Sequence, residues 1–184
     1  MVAVDITGFG DPRRDTGAQL RLRGRLYDHL METFDSTGLP WQDCHCEDRG
    51  DGAFIVAPPD TDPDDFLDPL AYRLNAVLRR DNRVGGGLMR LRLRMAVHHG
   101  QVHYDAHGVA GHATIHLFRL LEADAFKRAL RAAGTDLAMI VSDRLYADAA
   151  GRGGLLDCAA YRRIRITNKE TRRAPAWLWL PPRR

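Results

Sequence analysis

Apolar and polar positions change period several times along the chain, and each change marks an element. Residues 2–7 are a short apolar run of the length of a buried strand. A polar loop over 11–15 follows. From about Gln19, Leu22, Leu26, Leu30 and Phe34 recur at helical spacing, with Tyr27 and Met31 beside them and Gly38-Leu39-Pro40 as the stop. Residues 43–48 and 53–56 read as a hairpin turning at Gly50-Asp51-Gly52, ended by Pro58 and Pro59. A second amphipathic helix, capped within 61–65, carries Phe66, Leu70, Leu74 and Val77 on one side. After Gly85-Gly86-Gly87 the period returns to two. Leu91, Leu93, Met95 and Val97 alternate with Arg90, Arg92, Arg94 and Ala96, a strand apolar on one face and basic on the other.

His99-Gly100-Gln101 turns the chain into a strand over 102–104, and Gly108 to Gly111 leads into a helix holding Ile115, Phe118, Arg119 and Leu120. A helix over 125–133, a buried strand over 137–141, a short helix capped by Ser142-Asp143 and a loop over 151–154 come next. Strands over 161–167 and 176–180 close the chain as a hairpin around Lys169. This order predicts one α+β domain spanning 1–184, with a ferredoxin-like βαββαβ core and a largely antiparallel sheet carrying helices on one face. A chain of this length buries roughly 68–70% of its unfolded surface and needs no staple.

Composition narrows the setting. Three cysteines, Cys44, Cys46 and Cys158, cannot all pair with one another, which favours a reduced cytoplasmic location. No basic, apolar leader and no run long enough for a membrane span is present, so neither export nor a membrane partner is expected. The formal charge of +3 is carried mostly by arginine. The basic strand Arg90, Arg92, Arg94 offers a nucleic-acid backbone a face, but no aromatic-plus-basic stripe, finger spacing or recognition helix accompanies it, so no nucleic acid is expected.

The chemistry concentrates in Val2-Ala-Val-Asp5-Ile-Thr-Gly8-Phe9-Gly10 and Cys46-Glu47-Asp48-Arg49-Gly50-Asp51-Gly52. Each places a carboxylate where an apolar strand meets glycine, so neighbouring strands would bring Asp5 and Asp51 together around a hard cation, which takes one or two carboxylates plus substrate phosphate oxygens. Gly8 and Gly10 would admit a phosphate to backbone N–H groups at the start of the following helix. The same signals also serve hairpin turns and helix caps.

Together the two segments resemble the class III nucleotidyl cyclases, the adenylate and guanylate cyclase catalytic domains, through Asp5-Ile6-Thr7-Gly8-Phe9 and the hairpin Gly50-Asp51; the likeness extends over nearly the whole chain. The resemblance implies the family's fold and two metal ions, Mg²⁺ or Mn²⁺, held at Asp5, Ile6 and Asp51, with Thr7, Gly8 and Phe9 against the substrate. It implies that Glu47 reads the purine, and a carboxylate suits the N–H pair of guanine. The partner base-reading position falls at Gly108, which has no side chain. Arg119 matches the family arginine that faces the transferring phosphate, and Lys169, in Ile166-Thr-Asn-Lys169-Glu, matches a triphosphate-binding lysine. Ile115 stands where the family has a ribose-orienting Asn, with Thr114 and His116 beside it.

The implied activity converts a nucleoside triphosphate, GTP favoured, to its 3′,5′-cyclic monophosphate and pyrophosphate in a homodimer with shared sites. A catalytically impaired homologue that binds nucleotide for signalling is the alternative that Ile115 and Gly108 favour, and a pyrimidine nucleotide cyclase is another. His98, His99, His103, His107, His112 and His116 crowd one region, where His112 and His116 have the spacing of a helical metal chelate but lack a third ligand.

Overall fold

The computed structural model describes residues 1–153 and 156–182. Strands β1 (Val2–Ile6), β2 (His45–Asp48), β3 (Gly52–Val56) and β4 (Leu93–Val97) and helices α1 (Thr16–Thr37) and α2 (Asp68–Asn82) form the βαββαβ unit. After β4 come a small separate hairpin, β5 (His103–Asp105) with β6 (Gly108–Ala110), then α3 (His112–Leu121), α4 (Asp124–Ala133), β7 (Leu137–Ser142), α5 (Asp143–Gly151), β8 (Tyr161–Asn168) and β9 (Thr171–Trp179). The main sheet has the order β2-β3-β1-β4-β7-β9-β8, and its one parallel pairing among the described residues is β4 with β7. The expected α+β class and mostly antiparallel sheet are both present.

The expectation of helices on one face holds only for the core unit. Val2, Val4, Ile55, Met95 and Met139 pack with Leu22, Leu26, Leu30, Leu70 and Leu74 of α1 and α2, and α5 joins that side through Leu145 and Ala149. Ala3, Phe54, Ala96, Ala138 and Ile140 project the other way, under Leu117 and Leu120 of α3 and Phe126 and Leu130 of α4. Both faces are therefore covered. The continuous burial of β1, β3 and β7 is the local sign of it, since a strand exposed on one face would alternate.

The basic face of β4 has a structural use. Arg94 donates to the Leu121 carbonyl (3.1 Å) at the end of α3, and Arg92 to the Leu130 carbonyl (3.2 Å) in the last turn of α4. Arg90 pairs with Asp136 at 2.7 Å. Helix C-termini carry partial negative charge, so Arg92 and Arg94 complement the ends of α4 and α3, while Arg90 neutralises Asp136.

Helix α1 starts earlier than its apolar period shows, because Asp15 caps it by accepting from Ala18 N–H at 2.7 Å. Residues 63–66 form a separate turn of 3-10 helix ahead of α2, capped by Asp62. Ser142 precedes α5 without a side-chain cap; its hydroxyl lies 2.8 Å from Nδ1 of His98. Of the loop expected over 151–154, Gly154 lies outside the described residues.

His98 sits edge-on to His116, ring centroids 4.8 Å apart. Burial pushes its imidazole down to about 4, and the neighbouring His116 adds to the effect. The folded protein thus holds His98 neutral where an unfolded chain, with an ordinary value near 6.5, would protonate it. Stability contributed by this group is complete above pH 6.5 and is lost as pH falls toward 4. Thermal melts across that window should show a declining Tm that flattens in His98→Gln; parallel slopes would remove His98 from the acid response.

Candidate active site

Asp5 lies at the end of β1, opposite Gly52 of β3 on one side and Arg94 of β4 on the other. Gly52 is required there by close approach: a Cβ would stand 2.1 Å from the Val4 carbonyl oxygen. That contact brings the turn carrying Asp51 against β1, where Ile6 N–H donates to the Asp51 carbonyl at 2.8 Å. The two carboxylates thus sit on adjacent chain segments at one end of the sheet. Burial pushes the Asp5 carboxyl up to about 6, Arg94 opposes the rise, and Asp51 nearby adds to it.

Arg94 already supplies a cation to Asp5. Its guanidinium takes both carboxylate oxygens, with Nε 2.8 Å from Oδ1 and Nη2 on Oδ2. The pair is well buried, with side chains 12% and 10% exposed. Two hard carboxylates beside a site that attracts positive charge fit a divalent ion, with Asp5 and Asp51 as the side chains that would hold it. The Ile6 backbone carbonyl, the third position expected at the metal, accepts Phe9 N–H at 3.3 Å and keeps a second lone pair.

The glycine-containing loop lies beside the start of α1, where the Gln19 side chain in the first turn donates to the Phe9 carbonyl at 3.4 Å. Helix α1 starts at Thr16, and its first turn is already capped by Asp15. Thr7 N–H donates to the Arg92 carbonyl at 2.8 Å, and Phe9 packs against the α1/α2 core. The Thr7 hydroxyl is buried with no partner among the described residues. Arg14 clamps the loop by donating to the Gly8 carbonyl (2.8 Å) and, across the chain, to Leu88 (2.9 Å) and Arg90 (3.1 Å).

Glu47 and Gly108, distant in sequence, do meet. Glu47 accepts from His45 (3.0 Å), Arg49 (2.6 Å) and the Val109 N–H (3.2 Å). Gly108 has φ of 120°, and a Cβ there would lie 2.7 Å from Glu47 Oε1, so the missing side chain is what admits the carboxylate. His45 leads the forces holding Glu47 below its ordinary pKa.

A cleft of about 680 Å³ opens over α3 and the β8–β9 turn, lined by Arg119, Lys169, Asn168, Arg49, Lys127 and Glu122 together with Thr114, Ile115, Phe118 and Asp124. Arg119 is held at its mouth by Glu170 and by the Thr171 hydroxyl at 3.2 Å, and Asn168 donates to its carbonyl at 3.3 Å. Lys169 occupies the hairpin tip with φ of 50°. Arg49 stacks over Phe118, 5.1 Å from the ring centre. The Thr114 hydroxyl is buried without a partner among the described residues, and Ile115 is 49% exposed beside it. Arg119 and Lys169 therefore share one cleft, whose lining includes neither Asp5 nor Asp51.

Arg94, Glu122, Lys127, Arg49 and Glu170 also stand at these sites, although none is among the residues expected there. For Arg94 a signal existed in its place on the basic face of an alternating strand, which the structure pairs with the strand of Asp5. Arg49 pairs locally with Glu47 and Lys127 with Glu122, whereas the partner of Glu170, Arg119, is set by tertiary placement. Among the described residues no group of three or more histidines, cysteines or carboxylates is arranged to hold a metal.

No protein-family model matches the sequence, and no curated protein matches it. Solved structures do. The guanylyl cyclase Cya2 superposes with a TM-score of 0.63 over 97% of this chain and 88% of its own, at 17% identity. The catalytic core of a rhodopsin-guanylyl cyclase with converted specificity, solved with ATPalphaS, gives 0.65 over 97% and 92%, at 14% identity. An adenylate/guanylate cyclase/hydrolase from Silicibacter pomeroyi gives 0.62 over 99% and 95%, at 16% identity. The fold is that of the class III nucleotidyl cyclase catalytic domains. In this cyclase fold the two carboxylates lie at the end of the core unit, while the basic cleft belongs to α3 and the closing hairpin. Among the described residues no helix is long and apolar enough to cross a membrane.

Proposed function

We propose that the chain is a nucleotidyl cyclase that converts a nucleoside triphosphate, GTP favoured, to the 3′,5′-cyclic monophosphate and pyrophosphate, as a cytoplasmic homodimer. One observation supports this reading: within a cyclase fold, the carboxylates Asp5 and Asp51 lie outside the cleft that holds Arg119 and Lys169, as two halves of a shared site would. Two copies related by a two-fold axis would complete two whole sites, each with Asp5 and Asp51 from one protomer and Glu47, Arg119 and Lys169 from the other.

Asp5 and Asp51 would hold Mg²⁺ or Mn²⁺, two ions in all, which when bound supply charge neutralisation and a more acidic ribose 3′-hydroxyl. Arg94 must release Asp5 for this, and Glu122, 3.4 Å from its guanidinium, offers it another carboxylate. Arg119 and Lys169 hold the triphosphate and offset charge as pyrophosphate leaves, while positioning sets the 3′-oxygen in line with the α-phosphorus. For Glu47 to accept from guanine it must exchange His45 and Arg49 for the base. Ile115 offers the ribose no hydrogen bond, and this favours a second reading, a homologue that binds nucleotide and turns it over slowly.

Mixing two inactive variants tests the shared site. Asp51→Ala and Lys169→Ala, exchanged to random assortment, give about half mixed dimers, each with one intact site, so activity should recover to about a quarter of wild type. Verified exchange with no recovery from an active parent would place all the site residues in one chain.

A further inference from the structure

The closing hairpin brings its own carboxylate to the phosphate-facing arginine. Glu170 follows Lys169 at the β8–β9 turn and bonds Nη2 of Arg119, while Nη1 of Arg119 is taken by the Thr171 hydroxyl at 3.2 Å. The Glu170 side chain is 75% exposed and that of Arg119 only 24%, so the carboxylate reaches in from solvent to cover a cation that the fold holds in place. Asn168, on the same turn, donates to the Arg119 carbonyl at 3.3 Å and fixes the hairpin over α3.

We propose that Glu170 is an internal competitor for phosphate at Arg119, a residue that sets which anions the cleft accepts. The proposal rests on the cleft's assignment as a triphosphate site. A carboxylate and a phosphate oxygen use the same face of a guanidinium, so a ligand binds Arg119 only in molecules whose Glu170 has swung away, and its apparent affinity falls by that open fraction. A densely charged triphosphate overcomes the competition through Lys169 and Arg49 as well. A singly charged cyclic product has less to offset it and leaves more readily. The exposed pair is screened by salt, so the gate weakens as ionic strength rises.

Isothermal titration with inorganic tripolyphosphate, which has neither base nor ribose, tests this at low salt without any turnover. Glu170→Gln should bind about fivefold more tightly than wild type, the scale of an exposed ion pair. The gain should shrink at high salt and vanish in an Arg119→Gln background, where no guanidinium is left to compete for. Unchanged affinity in Glu170→Gln, with wild type binding, would overturn the gate and leave the triphosphate site standing. Weaker binding would instead make Glu170 a clamp that orients Arg119, and an equal gain in the Arg119→Gln background would reduce the effect to general repulsion. If neither wild type nor Glu170→Gln binds, the triphosphate assignment of the cleft falls together with the gate.

Discussion

Asp51→Asn should abolish cyclisation, lowering turnover by at least about a thousandfold, the scale expected when charge stabilisation at a reacting phosphate is lost. Asn keeps the shape of the side chain but loses the anion. The fold should be indifferent, because Asp51 is exposed and holds β1 only through its backbone carbonyl, which the variant retains. At neutral pH stability should stay level or rise slightly. Burial has pushed Asp5 up to about 6 and Asp51 adds to that push, so the folded state bears the cost of an ionised Asp5 above that pH; removing a neighbouring negative charge reduces the cost. Turnover and a melting curve on the same preparation check both halves. Normal turnover would remove Asp51 from the metal site, and a collapsed transition would make it structural.

Gly52→Ala should have the largest effect on stability. Its Cβ would fall 2.1 Å from the Val4 carbonyl oxygen and 3.1 Å from the Asp5 Cα, both backbone atoms of the neighbouring strand β1, so no rotamer change relieves the contact. The β1–β3 pairing must open in the middle of a sheet buried on both faces. A cost of about 3 kcal/mol or more is expected, lowering Tm by roughly 6–12 °C in a chain of this size. Turnover should fall as well, because the displaced turn carries Asp51 away from Asp5. Gly50→Ala is the control: φ is 80° but nothing lies within 4 Å of the added carbon, so only the left-handed backbone, about 1 kcal/mol, opposes it. Equal losses for the two variants would refute the close-approach account of Gly52.

The core unit was legible because its elements are locally encoded. Leu22, Leu26, Leu30 and Phe34 advance by the helical period, and Leu91, Leu93, Met95 and Val97 by the strand period, and all eight are buried. The second helical layer was hidden because Ala3, Ala96 and Ala138 are too small to announce a buried face. In the site, glycine signalled the Asp51 turn correctly, while the clamp on the Gly8 loop, Arg14 bonded to residues more than seventy positions away, is something no local period reveals. Arg49, Arg94 and Arg119 all carry carboxylate partners, and only that of Arg49, two residues off, lies within a local window. Composition counts arginines; it does not say which ones guard a site.

The most direct measurement is to incubate the pure protein with ATP, GTP, CTP and UTP in turn, with Mn²⁺, and to identify products by mass spectrometry. The account predicts a 3′,5′-cyclic monophosphate with stoichiometric pyrophosphate, formed fastest from GTP and absent in Asp51→Asn. No cyclic product from any of the four triphosphates, from folded protein that binds them, would contradict the cyclase assignment and leave a nucleotide-binding homologue.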